Sequence, residues 1–184
     1  MSWSEYQIAA WLCRHTFQRK HLVVPNCNWT GNECDLLVVT ANLRIIDVEI
    51  KISRADLKAD ADKDKWWHPR PWQRHGESRL PRTPRNWPLR VWKHYYCMPK
   101  EIWKPELLAC IAPVSGVLLV GNAMIWSERR AKCNKDAKPI DAEDAIDIAR
   151  LAGLRMWDAF DTRDAAVREA ADARSTLYAV TRAA

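Results

Sequence analysis

The 184-residue sequence contains no uninterrupted apolar run of the roughly 18 residues that a membrane-spanning helix needs. Its first residues, MSWSEYQIAA, lack a basic start followed by an apolar stretch, so no signal peptide is read there. Both absences point to a soluble, intracellular protein, expected in the cytoplasm and without a membrane partner. Close cysteine pairs are missing too. Among Cys13, Cys27, Cys34, Cys97, Cys110 and Cys133, the tightest spacing is C-x6-C, between Cys27 and Cys34. That argues against zinc knuckles and iron–sulfur clusters, which want C-x2-C, and the thiols read as reduced and space-filling. There are no internal repeats. Acidic residues are nearly absent from one stretch. Between Trp66 and Lys93, seven basic residues (Arg70, Arg74, Arg79, Arg82, Arg85, Arg90, Lys93) face one acid, Glu77, so this window carries the whole net charge of +6.

What is present fits one globular domain: 48% hydrophobic and 28% charged residues. The basic window also holds five of the eleven tryptophans (Trp66, Trp67, Trp72, Trp87, Trp92) and five of the ten prolines, so it cannot be a regular helix or a central strand. Cations neutralise phosphates and flat rings stack on bases, which suits a nucleic acid. Tryptophans that simply pin a solvated loop to the body explain the same composition, and both readings stand.

Ser2 with Glu5 has capping-box spacing before Ile8, Trp11, Leu12 and His15, which predicts a helix from about Trp3 to Gln18. His21 to Val24 reads as a short strand stopped by Pro25. Cys34–Thr40 and Arg44–Ile52 read as an antiparallel hairpin. Ser53 and Asp56 repeat the capping spacing and start a helix ending near Lys65. Strands follow at Lys93–Met98, Gly116–Val120 and Met124–Ser127. A helix capped by Asp141 is expected to bury Ile146, Ala149, Leu151, Leu154, Trp157 and Phe160, with the last twenty or so residues helical or frayed. The order argues for a mixed α/β class, α+β in character, with a central sheet flanked by helices. Residues 1–135 form its core and 136–184 a helical extension of the same domain.

Alternation along Arg44–Ile52 sends Ile46, Val48, Ile50 and Ile52 to one face and Asp47, Glu49 and Lys51 to the other. Positions 35 and 49 lie symmetrically about Asn42, so the hairpin sets Asp35 nearly opposite Glu49. Like charges across a ladder are destabilising. A divalent cation would reverse the penalty, since carboxylate oxygens are the hard ligands Mg2+ prefers. Glu5 shares a helical face with Ile8, Ala9 and Leu12 and is either a third ligand or simply the capping-box acid. Glu33 reads as a residue near the ligands or an ordinary loop residue, and Asp47 as one partner of a structural ion pair.

Asp35, thirteen residues, then Glu49-Ile-Lys51 resembles the PD-(D/E)xK nuclease superfamily, whose core has the α-β-β-β-α-β order read above. The longer string, Asn32-Glu-Cys-Asp35 through Val48-Glu-Ile-Lys-Ile-Ser-Arg-Ala-Asp56 and Ala59-Asp60, is similar to a branch found in bacteria and their phages, related to MmcB-type DNA-repair proteins. His94-Tyr-Tyr-Cys-Met-Pro99 matches that branch's later strand, and the resemblance spans roughly residues 5 to 135. It implies a restriction-endonuclease-like core and phosphodiester hydrolysis. Asp35 and Glu49, with Glu5 and the Ile50 carbonyl, would hold one or two Mg2+ or Mn2+ ions, supported by Glu33, Ser53 and Asp56. Lys51 would orient water or stabilise the transition state. Lys63 and Lys65, on the helix after the E-x-K strand, would contact DNA by that resemblance, and the composition of the basic loop alone adds Arg70, Arg74, Arg79, Arg82, Arg85, Arg90 and Lys93 to the expected DNA contacts. Cys34 stands where the superfamily pattern has proline, and the basic loop is longer than in that branch, so its role is not carried over. The expectation is a Mg2+-dependent DNA nuclease of phage or bacterial DNA processing, repair or recombination. A non-catalytic nucleic-acid-binding module, or a protein that blocks a host defence complex, is the alternative; a protein partner belongs to that second class.

Overall fold

The computed structural model describes residues 3–69, 81–121 and 124–183. Its centre is the hairpin of β2 (Cys34–Val39) and β3 (Ile45–Ile50), two runs of β-branched and aliphatic residues that favour extended backbone. Leu36 pairs with Val48 and Leu37 with Asp47, the pairing symmetric about Asn42, so Asp35 lies next to Glu49 beyond the last paired positions. Thr40 closes the loop, its Oγ1 accepting from the Arg44 N–H at 3.0 Å. Leu43 adopts the left-handed backbone there, at φ 58°.

Among the described residues, six strands form one sheet in sequence order. The others are β1 (Leu22–Cys27), β4 (Lys93–Pro99), β5 (Gly116–Val120) and β6 (Ile125–Arg129). β3 and β5 flank β4 in parallel, while the remaining pairs are antiparallel, so the sheet is mixed. Parallel neighbours need a crossover, and the first carries α2 (Arg54–Ala59) with two 3-10 turns after it. Helices cover both faces. Ile8 and Leu12 of α1 (Glu5–Trp11) and the π-helical turn after it pack on Leu36, Val38, Ile46, Val48 and Ile50. On the opposite face, Leu57 and Trp66 join Tyr96, Met98, Val117 and Leu119. Ile148 of α3 (Ala142–Ala183) joins Leu37, Val39 and Ile45 on the hairpin half of that face.

Several boundaries differ from expectation. The N-terminal helix is capped by Ser4, whose Oγ accepts from the Gln7 N–H while Gln7 returns the bond, and it ends at Thr16 after a π-helical turn. β1 continues through Pro25 to Cys27; it is an edge strand, where a missing N–H costs no ladder bond. Cys27 and Cys34 are ladder partners with free thiols, the Cys34 Sγ donating to the Cys27 carbonyl at 3.0 Å. The helix capped by Ser53 ends at Ala59 rather than near Lys65. Of the expected α3 stripe, Leu151 packs on the core, while Ile146, Ala149, Leu154, Trp157 and Phe160 are exposed, and the contact is completed by Ile148 with Ala145 and Ala152.

Candidate active site

The polar face of β3 sits beneath the crossover. Asp47, Glu49 and Lys51 are all buried, flanked in β4 by His94 opposite Asp47 and Tyr96 opposite Glu49. The turns after α2 lower Asp60, Lys63 and Lys65 onto them. Ser53 starts this segment by accepting from the Asp56 N–H at 3.1 Å, and Leu57 anchors it in the core.

Three ammonium groups meet on Glu49. Lys51 and Lys63 reach Oε2 at 2.9 and 2.8 Å, and Lys65 reaches Oε1 at 2.5 Å. Lys65 also pairs with Asp47 at 3.2 Å, the structural ion pair expected of Asp47. Asp60, an acid to which the sequence reading assigned no role, takes Lys51 at 2.8 Å and Lys63 at 3.0 Å. Its other oxygen accepts from the Tyr96 hydroxyl at 2.6 Å and the Trp66 indole N–H at 3.3 Å. Asp56 is a more distant partner of Lys51, at 3.7 Å.

These contacts set the charge states. Burial would push the Glu49 carboxyl up, but Lys65 and Lys51 outweigh it and hold it below its ordinary value. Burial opposes ionisation of Asp60 likewise, and the same two lysines hold that carboxyl well below the carboxylate range. Lys51, in turn, keeps its proton against burial because Glu49 and Asp60 face it. Asp35 differs. Burial, and then the Glu49 charge beside it, raise its carboxyl to about 6, although the Ile50 N–H donates to its Oδ2 at 2.6 Å. His94 is pushed well below its usual value by burial and Lys65, so it is neutral, with Nδ1 2.9 Å from the Ser115 hydroxyl.

The sequence-derived residues divide accordingly. Asp35, Glu49 and Lys51 come together. Glu5 does not: it is exposed in the first turn of α1, and α1 packs on the sheet face opposite the carboxylates. Glu33 and Ser53 are exposed, and at Ile50 it is the N–H that meets Asp35. Lys65 is 2% exposed and locked among carboxylates, so it offers no surface to DNA. Arg90 stacks on Trp29, and Lys93 stacks on Trp92 at the start of β4, the end of the sheet away from Glu49. Lys63, Arg82 and Arg85 remain at the rim. Arg82 pairs with Asp64 at 2.6 Å, and the Arg85 N–H donates to the Trp66 carbonyl at 2.7 Å. Trp66, Trp67 and Trp92 pin the ends of the basic loop to the body, while Arg70, Arg74 and Arg79 lie outside the described residues.

Among the described residues, no three His, Cys, Asp or Glu side chains form a group that could hold a metal ion. Mg2+ is commonly held by only one or two carboxylates, with water and substrate phosphate completing the shell. Asp35 and Glu49 supply that number. Glu49, however, already receives the Lys51 and Lys63 ammonium groups on Oε2 and that of Lys65 on Oε1, so three protein cations stand where an ion would bind.

Fold and site together define a mixed α/β protein with a carboxylate–lysine cluster buried under the first parallel crossover. No protein-family model and no curated protein matches the chain. Among solved structures it is similar to a protein of unknown function from Silicibacter pomeroyi, SPO1766, at 16% identity and a TM-score of 0.53, over 87% of this chain and 91% of that one. That likeness establishes the shared fold. In addition, no helix among the described residues is long and apolar enough to cross a membrane.

Proposed function

We propose that the protein is a Mg2+- or Mn2+-dependent deoxyribonuclease of the PD-(D/E)xK type, serving phage or bacterial DNA processing. The observation that carries this reading is the convergence of Asp35, Glu49 and Lys51 on one face, where burial and then the Glu49 charge raise the Asp35 carboxyl and the Lys51 ammonium stands beside Glu49. Asp35 and Glu49 would hold the ion, which supplies an activated water and neutralises charge on the phosphate. Lys51, charged because two carboxylates face it, would oppose the negative charge that grows on the phosphate oxygens. Lys63, Arg82 and Arg85 at the rim, with Arg70, Arg74 and Arg79 of the basic loop, would draw in the DNA backbone.

A second reading, a non-catalytic nucleic-acid-binding module, is favoured by one observation: both Glu49 oxygens are already occupied by lysines. Plasmid cleavage with Mg2+ or Mn2+ against an EDTA control separates the two. The nuclease reading expects nicking or linearisation that Lys51→Ala lowers by roughly a hundredfold or more, while DNA affinity stays close to wild type. Absence of metal-dependent cleavage by the purified full chain would leave the binding module as the better account.

A further inference from the structure

Asp60 lies outside the D-x13-E-x-K pattern, yet with four partners it is the most heavily engaged carboxylate of the cluster. It is fully buried, and each of its oxygens has two partners. A buried carboxylate is costly unless paired, and a position needed only for packing would be filled more cheaply by an apolar side chain. The partners indicate what the charge does. One oxygen is fixed from below by Tyr96 of β4 and from the side by Trp66, which packs in the core. The other meets the Lys51 ammonium at 2.8 Å.

Lys51 needs such an anchor. Its four-carbon stem is flexible, and an ammonium has no directional fork to orient it. Glu49 and Asp60 each share the oxygen that meets Lys51 with the half-exposed Lys63, but the other oxygen of Asp60 is held by two uncharged donors, the Tyr96 hydroxyl and the Trp66 indole N–H. Asp60 adds a second contact, through a carboxylate that is itself held by Tyr96 of β4 and by Trp66. We propose that Asp60 is the positioning residue for Lys51, holding its ammonium at the spot from which it acts on substrate. The catalytic consequence rests on the nuclease reading; the placement of Lys51 does not.

Asp60→Asn is the informative variant. Its amide oxygen can still accept from Tyr96 and Trp66, while its NH2 group cannot anchor an ammonium. Misplacing a catalytic group by about an ångström can cost roughly a hundredfold in rate, so kcat for plasmid cleavage should fall by about that factor while KM for DNA stays near wild type. A second readout is the 15N-lysine ammonium signal that is absent from Lys51→Ala. Pairing and burial protect this signal from solvent exchange in the wild-type full chain, and Asp60→Asn should lose it. Tyr96→Phe, which keeps every charge and only loosens Asp60, should broaden the signal and lower kcat by several-fold, and it carries the test if Asp60→Asn fails to fold. Wild-type turnover, or a retained Lys51 signal, in a folded Asp60→Asn protein would overturn the proposal. So would a Tyr96→Phe protein unchanged in both, where that variant stands in. If the wild type cleaves no DNA, the nuclease reading falls, and the ammonium signal alone still decides whether Asp60 holds Lys51.

Discussion

Asp35 and Glu49 sit side by side in the same hairpin and end in opposite electrostatic states. Glu49 collects three ammonium groups, whereas Asp35 has, among the described residues, the Ile50 N–H as its direct partner and carries the penalty of burial and of its neighbour's charge. A carboxyl raised from its ordinary value to about 6 contributes stability below the unfolded value near 3.8, and that contribution disappears as the pH rises through about 6. Asp35→Asn keeps an acceptor for the Ile50 N–H and removes the charge. Urea denaturation should therefore show this variant more stable than wild type at pH 8, by about 1–3 kcal/mol on the usual scale of about 1.4 per pKa unit, with the difference vanishing toward pH 4. Equal stability of the two proteins across that range would mean that Asp35 is not under strain from Glu49. The pairing of these acids was legible in the spacing about Asn42, because strand geometry is local. Lys51 was legible by the same alternation, whereas Lys63 and Lys65 were not, since they reach Glu49 only through the path of the turns after α2.

Among the elements, α3 is divided. Its first turns belong to the body through Ile148, and the Arg155 guanidinium donates to the Asn26 carbonyl at 3.0 Å. Beyond that point Met156, Trp157, Phe160 and Val167 are exposed on a 42-residue helix that spans about 63 Å at 1.5 Å per residue. A chain ending at Ala159 should accordingly unfold within about 2 °C of the full protein, since no described side chain of the removed segment is buried. A markedly lower midpoint would show that this part of the helix is stabilised by contacts it makes in solution. Periodicity placed the helix but chose the wrong stripe. Ile146, Trp157 and Phe160 are apolar like Ile148, and only the packing against β1, β2 and β3 selects which of them is covered. β1 itself runs on through Pro25 for a related reason: the residue forbids a central strand, and only sheet order reveals that this strand lies at an edge.

The distribution of charge over the protein has a measurable consequence of its own. The window from Trp66 to Lys93 carries the net +6, but Arg90 and Lys93 stack on tryptophans away from the cluster, while Arg82 and Arg85 stand beside it. For duplex DNA each neutralised phosphate contributes about 0.9 to the slope of log affinity against log salt, so replacing Arg82 and Arg85 together should flatten that slope by up to about 1.8. Fluorescence anisotropy with unrelated duplexes between low and physiological salt measures it, and an unchanged slope would remove this rim from the DNA-binding surface. Composition and alternation sufficed for the mixed sheet, the element order and the face on which Asp35, Glu49 and Lys51 gather, because each depends on near neighbours and a two-residue period. The side of the sheet that each helix covers was decided only when the strands assembled. That is why Glu5 turned to solvent on the far face, Lys65 vanished beneath the carboxylates, and Asp60, eleven residues past Glu49, became the partner of Lys51. Such contacts join segments whose separation along the chain carries no period, so only the packed core brings them together.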